Sequence, residues 1–157
     1  MQPRLNYQQA SPGAFNALLD MEKYTRQCGL EYSLIELVKI RASQINGCAY
    51  CIDMHTKDAR AAGETEQRLY ALSVWHETPF YTGRERVALE LTEAITSIAQ
   101  AGVPDELYQR ACEQFNEEEL VNLVTAIITI NGWNRLALAF RAVAGSYQPP
   151  ARKPATT

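Results

Sequence analysis

Apolar residues recur along this chain with a helical period almost throughout. They return every three or four positions in segment after segment, and no segment shows the convincing alternation of a half-buried strand. The clearest stripe lies in residues 33–46 and consists of Leu34, Leu37, Val38, Ala42 and Ile45. The pattern predicts an all-α fold.

A very short turn joins two of these predicted helices. The helix over residues 33–46 ends at Asn46-Gly47, and the next one, over 48–62, begins at once and ends before Gly63. Helices joined by so short a turn pack antiparallel. The sequence therefore predicts a central antiparallel helix hairpin.

Capping residues and proline mark the remaining boundaries. Ser11-Pro12 predicts the start of the first helix, and the segments 82–85 and 116–119 have capping-box spacing. We expect residues 1–10 to form an N-terminal extension, 11–145 a single helical domain, and the proline-rich 146–157 a disordered tail.

The segment 120–130 is apolar nearly all round, which predicts a helix that is central or lies at a subunit contact. Asn131-Gly132 directly after it is expected to kink or break that helix.

Composition and charge narrow the class of protein. A chain of 157 residues fits one compact domain or one subunit of an oligomer. Its 15 basic and 18 acidic residues give a net charge of -3, and no basic cluster with interleaved aromatics predicts nucleic-acid binding. Residues 1–10 lack the apolar core of a signal peptide, and no run of about eighteen apolar residues predicts a membrane span. We expect a cytoplasmic protein.

The candidate chemistry lies on the second arm of the hairpin. Cys48-Ala49-Tyr50-Cys51 is followed by His55, so that Cys48 and Cys51 are i and i+3 neighbours and Cys51 and His55 are i and i+4 neighbours. All three side chains project from one helix face. An isolated pair among four cysteines is unlike a disulfide framework and indicates redox or metal chemistry in a reducing compartment.

Glu36 lies on the first arm, at a height that can match His55. Counted from Gly47, Glu36 is eleven residues back and His55 eight forward, an axial offset of about 4–5 Å. A glutamate can bridge that offset and hold the imidazole. The alternative is a capping box in which Glu36 serves Ser33 at the helix start.

Three hypotheses fit the cluster. In the first, His55 takes the proton of Cys51, Glu36 fixes the imidazole, and the two thiols reduce a peroxide or exchange with another protein's disulfide. In the second, the same side chains bind zinc in a non-catalytic helical oligomer, although structural zinc sites usually draw ligands from separate segments. In the third, both cysteines merely pack.

The arrangement Glu36, Cys48, Cys51 and His55, with KIRASQINGCAYCIDMHTKDARAAGE around it, resembles the alkylhydroperoxidase AhpD-like branch of the carboxymuconolactone decarboxylase family. The stretches PFYTGRERVALELTEAIT and INGWNRLALAFR are similar to those of its short members. The resemblance implies an all-helical homo-oligomer, a trimer or a hexamer. It also implies a dithiol peroxidase that needs no metal or other cofactor and is recycled by a thiol-bearing protein of lipoyl or thioredoxin type.

Carried over by position, Cys51 is the peroxidatic thiol, Cys48 the resolving thiol, His55 the proton acceptor and Glu36 its partner. The best-studied members carry a histidine immediately before the second cysteine, where this chain has Tyr50. A phenol can donate a hydrogen bond to a peroxide but does not relay a proton at neutral pH unaided. Tyr50 and His76 are the candidate substrate-pocket residues. We expect an antioxidant peroxidase, with protein disulfide exchange as the alternative activity.

Overall fold

The computed structural model describes residues 2–149, and within them the structure is helical without strands, as predicted. The α-helices are α1 (Tyr7–Ala10), α2 (Pro12–Thr25), α3 (Tyr32–Asn46), α4 (Ala49–Ala61), α5 (Glu66–Ala71), α6 (Gly83–Thr96), α7 (Ile98–Ala101), α8 (Asp105–Gln114) and α9 (Glu117–Phe140). A 3₁₀ helix, Leu72–Glu77, follows α5.

Helices α3 and α4 form the predicted hairpin. Gly47 ends α3 in the left-handed conformation, with φ of 71°, which glycine adopts at little cost. Cys48 then caps α4, and its amide donates to the Ser43 carbonyl at 2.9 Å, which closes the turn. The hairpin thereby places the helix start that carries the cysteines directly beside the end of α3.

Helix α3 is the centre of the fold and packs against α4, α6 and α9. One apolar cluster joins it to α6, α8 and α9, and a second joins it to α5, the 3₁₀ helix and α6. A third, smaller cluster lies between α3, α4 and α9 and contains both hairpin cysteines.

Helix α9 runs unbroken through Asn131-Gly132, so the predicted kink or break is wrong. The inner face of α9 is buried at Leu123, Ala126 and Ile127, which confirms its central place. By length and composition alone α9 is apolar enough to cross a membrane, and 44% of its most apolar window is buried in this domain. Core helices of water-soluble domains meet the same criterion.

The helix starts follow the predicted capping signals in part. Thr82 and Asn116 each form the expected capping box, with Glu85 and Glu119 respectively. Ser11 precedes α2 but makes no side-chain cap. The capping box considered as the alternative role of Glu36 with Ser33 does not form, because α3 already begins at Tyr32 and the side chain of Glu36 contacts His55.

Both ends of the described chain lie on the domain. Within the predicted extension, α1 forms and Arg4 donates a backbone hydrogen bond to the Phe140 carbonyl at 2.9 Å. Tyr147, which lies in the segment predicted to be a disordered tail, is instead held by Lys57 and Asp58 of α4. The rest of that tail from residue 150 onward falls outside the described residues.

Candidate active site

The two cysteines of the hairpin face each other at bonding distance, as the spacing predicted. Their sulfurs are 2.50 Å apart and their Cα atoms 5.4 Å apart, and the structure joins the pair as a disulfide. Cys48 Sγ also accepts a hydrogen bond from the Cys51 amide at 3.4 Å, because it occupies the capping position of α4. Each cysteine is only 1% exposed.

His55 and Glu36 meet across the hairpin. His55 Nδ1 lies 2.9 Å from Glu36 Oε2, and both side chains are almost completely buried. Of the two roles considered for Glu36, the structure therefore shows the imidazole partner. The other ring nitrogen, Nε2, is buried without a hydrogen-bond partner among the described residues, one helical turn beyond Cys51. It is available to take a proton.

Aromatic side chains cover the sulfur cluster. Tyr50 and Trp133 pack against it, and Trp133 in turn meets the Phe15 ring edge-on at 5.4 Å. Tyr7 of α1 extends this layer toward Phe140, at 5.7 Å between ring centroids. Burial, and secondarily the negative charge that Tyr50 would carry, raise the pKa of Tyr7, so its hydroxyl stays protonated. Of the two candidate pocket residues, Tyr50 borders the cysteines, because it packs against the cluster that contains them.

His76 has its contacts elsewhere. Its ring stacks on Trp75 at 3.6 Å, and its Nε2 lies 3.8 Å from a carboxylate oxygen of Glu93 on α6. The side chain is 52% exposed. None of its hydrogen-bond, ionic or stacking partners among the described residues belongs to the cysteine cluster, so the structure does not bring His76 to the site.

A buried ion-pair network lies behind Glu36, and the sequence pattern did not reveal it. Basic residues on a helix are usually solvated, but Lys39 is fully buried. Its Nζ lies 2.5 Å from Glu22 Oε1 of α2 and 3.8 Å from Glu36 Oε1. Arg26 binds the same oxygen of Glu22 at 2.9 Å. The spacing of Glu36 and Lys39, three residues apart on one helix, was the only local signal.

A second carboxylate, Asp58, is buried near Glu36 and His55. It accepts a hydrogen bond from the Tyr147 hydroxyl at 2.7 Å. The pKa of Tyr147 is raised well above its usual range, chiefly because the phenol is buried and secondly because the Asp58 carboxylate lies beside it. Burial, followed by the charges of Glu36 and Asp58, raises the pKa of Tyr32 to about 12. Both phenols therefore stay neutral. A cavity of about 280 Å³ borders Tyr32 and Glu36.

Glu36, His55 and Asp58 each offer an atom that could ligate a metal, and these atoms lie within 4.8 Å of one another. The Lys39 ammonium beside Glu36 already supplies positive charge there, and the Tyr147 hydroxyl occupies one oxygen of Asp58. The zinc site considered from the sequence would draw on Cys48 and Cys51, and neither sulfur belongs to this group of three side chains. The cluster is better suited to holding and moving a proton.

Comparison with known proteins places this site in a family. Residues 12–94 match the model of the carboxymuconolactone decarboxylase family. The uncharacterized protein YdfG of Bacillus subtilis (strain 168) is 52% identical over 139 residues, which are 88% of this chain and 95% of that protein.

Solved structures show the same architecture. A protein of unknown function from Agrobacterium tumefaciens, suggested to be the antioxidant defence protein AhpD, has a TM-score of 0.90 and 44% identity, over 93% of this chain and 100% of that chain. The debrominase Bmp8, solved in complex with 2,3,4-tribromopyrrole, has a TM-score of 0.79 over 88% of this chain and 74% of that chain. Its identity of 17% shows a shared fold alone.

Proposed function

Because the chain belongs to the carboxymuconolactone decarboxylase family, we propose that it is a thiol-dependent peroxidase that reduces hydroperoxides through Cys48 and Cys51. One observation carries this proposal: a bonded sulfur pair and a carboxylate-bound imidazole lie together on one buried helix hairpin. The AhpD-like architecture supports an antioxidant role of this kind.

The reaction begins with the reduced pair. His55 accepts the Cys51 proton, and Glu36 stabilises the resulting imidazolium through Nδ1. Backbone amides and the positive end of α4 favour the thiolate in its first turn. The thiolate attacks one peroxide oxygen, the O–O bond breaks, and the leaving alkoxide takes the proton from His55. The products are an alcohol and a sulfenic acid on Cys51.

Cys48 completes the cycle. Its thiol attacks the sulfenic sulfur, the S–O bond breaks, and the hydroxyl leaves as water with the thiol proton. Two electrons have then passed from two thiols to one peroxide, and the product is a disulfide like the one in the structure. A thiol donor must return two electrons by thiol–disulfide exchange. We propose a lipoyl- or thioredoxin-like protein as that donor, and the enclosure of the two sulfurs favours the lipoyl arm of these two. We propose a homo-oligomer as the working form.

Exchange with a folded protein's disulfide is less compatible with the site. Both cysteines are 1% exposed beneath the Tyr50 and Trp133 side chains, whereas exchange requires a partner's sulfur to approach in line. A small peroxide has the smaller access requirement. This difference favours peroxide reduction over the disulfide-reductase alternative.

Thiol counting tests the proposal. The other two cysteines are free, so a Cys28→Ala/Cys112→Ala background leaves two titratable thiols after reduction. One equivalent of an alkyl hydroperoxide should remove both thiols and yield one equivalent of alcohol, in protein shown by elemental analysis to be metal-free. Cys51→Ser should abolish this turnover. A Cys51→Ser protein with the parental rate would exclude the assigned nucleophile, and stoichiometric tightly bound zinc would support the scaffold alternative.

A further inference from the structure

The interior position of Lys39 is unusual for its residue type. Lysine is almost never fully buried unless it is paired, because burial penalises the charged ammonium. Here Nζ touches Glu22 at 2.5 Å and lies 3.8 Å from Glu36, the carboxylate that binds His55. The lysine therefore connects α2 to the carboxylate–imidazole pair.

Four charged side chains alternate in sign along one buried line that ends at the His55 imidazole. From outside to inside the order is Arg26, Glu22, Lys39, Glu36 and His55. Each successive pair lies within 4 Å, and only the Arg26 end is substantially exposed, at 44% of its side chain. Glu22 thus lies between two cations and holds the Lys39 ammonium at 2.5 Å, with the Glu36 carboxylate 3.8 Å away on its other side.

The charged and titratable groups around Glu36 come from several elements. Asp58 and His55 face it from α4, Glu22 from α2, Arg26 from the residue that follows α2, Lys39 and Tyr32 from α3, and Tyr147 from the C-terminal segment. The two phenols are neutral. Three carboxylates against two fixed cations leave one negative charge, which an imidazolium on His55 balances. Without Lys39 the Glu36 and Asp58 carboxylates would share a dry site with no cation beside Glu36, and proton uptake by Glu36 would relieve the repulsion.

We propose that Lys39 is a positioning residue of the dithiol site: clamped by Glu22, its ammonium keeps Glu36 ionised and aimed at His55, so that His55 can take the Cys51 proton. Lys39 itself touches neither sulfur nor substrate. This inference rests on the proposed role of His55 as the base. It adds a charged residue from outside the Glu36–His55 pair to the site.

Alkylation of the reduced cysteine pair tests the proposal without any peroxide. In the Cys28→Ala/Cys112→Ala background, the rate of iodoacetamide modification measured against pH reports thiolate formation. Lys39→Met should move the midpoint up by about one pH unit and slow modification at pH 7 about tenfold. The matched control is Lys23→Met, a lysine on α2 whose side chain is 62% exposed; it should leave the profile unchanged.

A double variant tests the same point if Lys39→Met alone does not fold. Lys39→Met leaves Glu22 with only Arg26, whereas Glu22→Gln/Lys39→Met removes both charges at once, and replacing a buried pair by neutral residues is often neutral for stability. The double variant should show the same upward shift, because it too lacks the cation beside Glu36. A wild-type midpoint in a folded double variant would overturn the proposal.

The imidazole itself can be observed, because the chain has two histidines. In protein labelled with nitrogen-15 histidine, NMR should show the neutral His55 protonated at Nδ1, with its tautomer or titration altered by Lys39→Met. Half-exposed His76 serves as the internal reference and should not change. Identical His55 spectra in both proteins would contradict the role of Lys39.

The two proposals fail in different ways. An unchanged alkylation profile in a Lys39→Met protein whose parent reduces peroxide overturns the role of Lys39 alone. A Lys39-dependent profile in a protein that turns over no hydroperoxide supports the role of Lys39 and contradicts the peroxidase.

Discussion

Cys48 and Cys51 occupy different positions relative to helix α4, and this difference separates their roles. Cys48 is the capping residue, outside the helix, and its sulfur accepts the Cys51 amide hydrogen bond. Cys51 lies inside the first turn, one turn before His55. Because only Cys51 is placed i and i+4 with the imidazole, it is the thiol that we expect to be activated.

Replacing Cys48 should therefore stop the cycle halfway. In Cys48→Ser the peroxide still oxidises Cys51, but no second thiol removes the hydroxyl, so a sulfenic acid accumulates after one turnover. Dimedone labelling followed by mass spectrometry should find the adduct on Cys51. Absence of the adduct after peroxide consumption would contradict the resolving role of Cys48, and Cys112→Ser serves as a matched exposed-cysteine control.

Loss of the base should weaken the thiol as a nucleophile. In His55→Gln the amide cannot take a proton, so the pH midpoint of Cys51 alkylation should rise by about one unit or more. His76→Gln is the control, because His76 stacks on Trp75 away from the sulfurs. Equal profiles for His55→Gln and the wild type would remove His55 from the mechanism.

The sequence predicted the local part of the site and missed the long-range part. Cys48 caps the helix that carries Cys51 and His55, and Glu36 is brought beside them by a short turn, so spacing alone predicted their proximity. Lys39 is buried because α2, from another part of the chain, provides Glu22, and no helical period within α3 could show that.

At the scale of elements, the hairpin turn depends on one glycine. Gly47 has φ of 71°, and a Cβ added there would meet nothing within 4 Å. The cost of a side chain would therefore come from backbone strain alone, without a steric clash.

Gly47→Ala should lower the free energy of unfolding by about 1 kcal/mol. Gly13→Ala is the matched control, since Gly13 is equally open but has ordinary helical backbone in α2, and it should be neutral or stabilising by about 0.5 kcal/mol. Urea denaturation of both variants measures the difference. Equal stability of the two variants would show that the turn does not require a left-handed residue.

Helix α9 shows why the pair Asn131-Gly132 does not break the helix as its sequence predicts. The Asn131 and Asn134 side chains both accept hydrogen bonds from Asn46 at the hairpin turn, at 3.0 and 2.9 Å. Gly132 allows α2 to approach closely, because an added Cβ would lie 3.1 Å from Leu18. These residues therefore connect helices within a continuous α9. The pair Asn-Gly indicates a turn only where its polar groups lack such partners.

At the scale of the whole molecule, low pH should destabilise the fold, because protonation removes the ion pairs and hydrogen bonds of its paired carboxylates. Burial alone would raise the pKa of Glu85, but hydrogen bonds from Arg68 and the Thr82 amide bring it below its usual value. In Glu22, burial likewise acts upward and is outweighed by Lys39 and Arg26, which lower its pKa. A carboxylate with a lower pKa in the folded state stabilises that state above its unfolded pKa, which is about 4.3 for glutamate.

The free energy of unfolding should therefore fall as the pH drops from about 5 through 4.3 and below. Glu85→Gln should be less stable at pH 7 and should show a smaller fall, because one of the contributing carboxylates is gone. Exposed Glu113→Gln is the control. Urea titrations at pH 7 and at low pH measure both differences, and parallel pH curves for Glu85→Gln and the wild type would exclude the linkage.

The near-complete enclosure of the disulfide has a consequence for the thiol donor that reduces it. Access to such a site depends on the width of the incoming group. A thiol on a long, narrow, flexible arm can pass between the aromatic side chains, whereas a broad protein surface contacts these side chains first and does not reach the sulfurs. Bulky maleimides should consequently label the reduced pair far more slowly than methyl methanethiolsulfonate does.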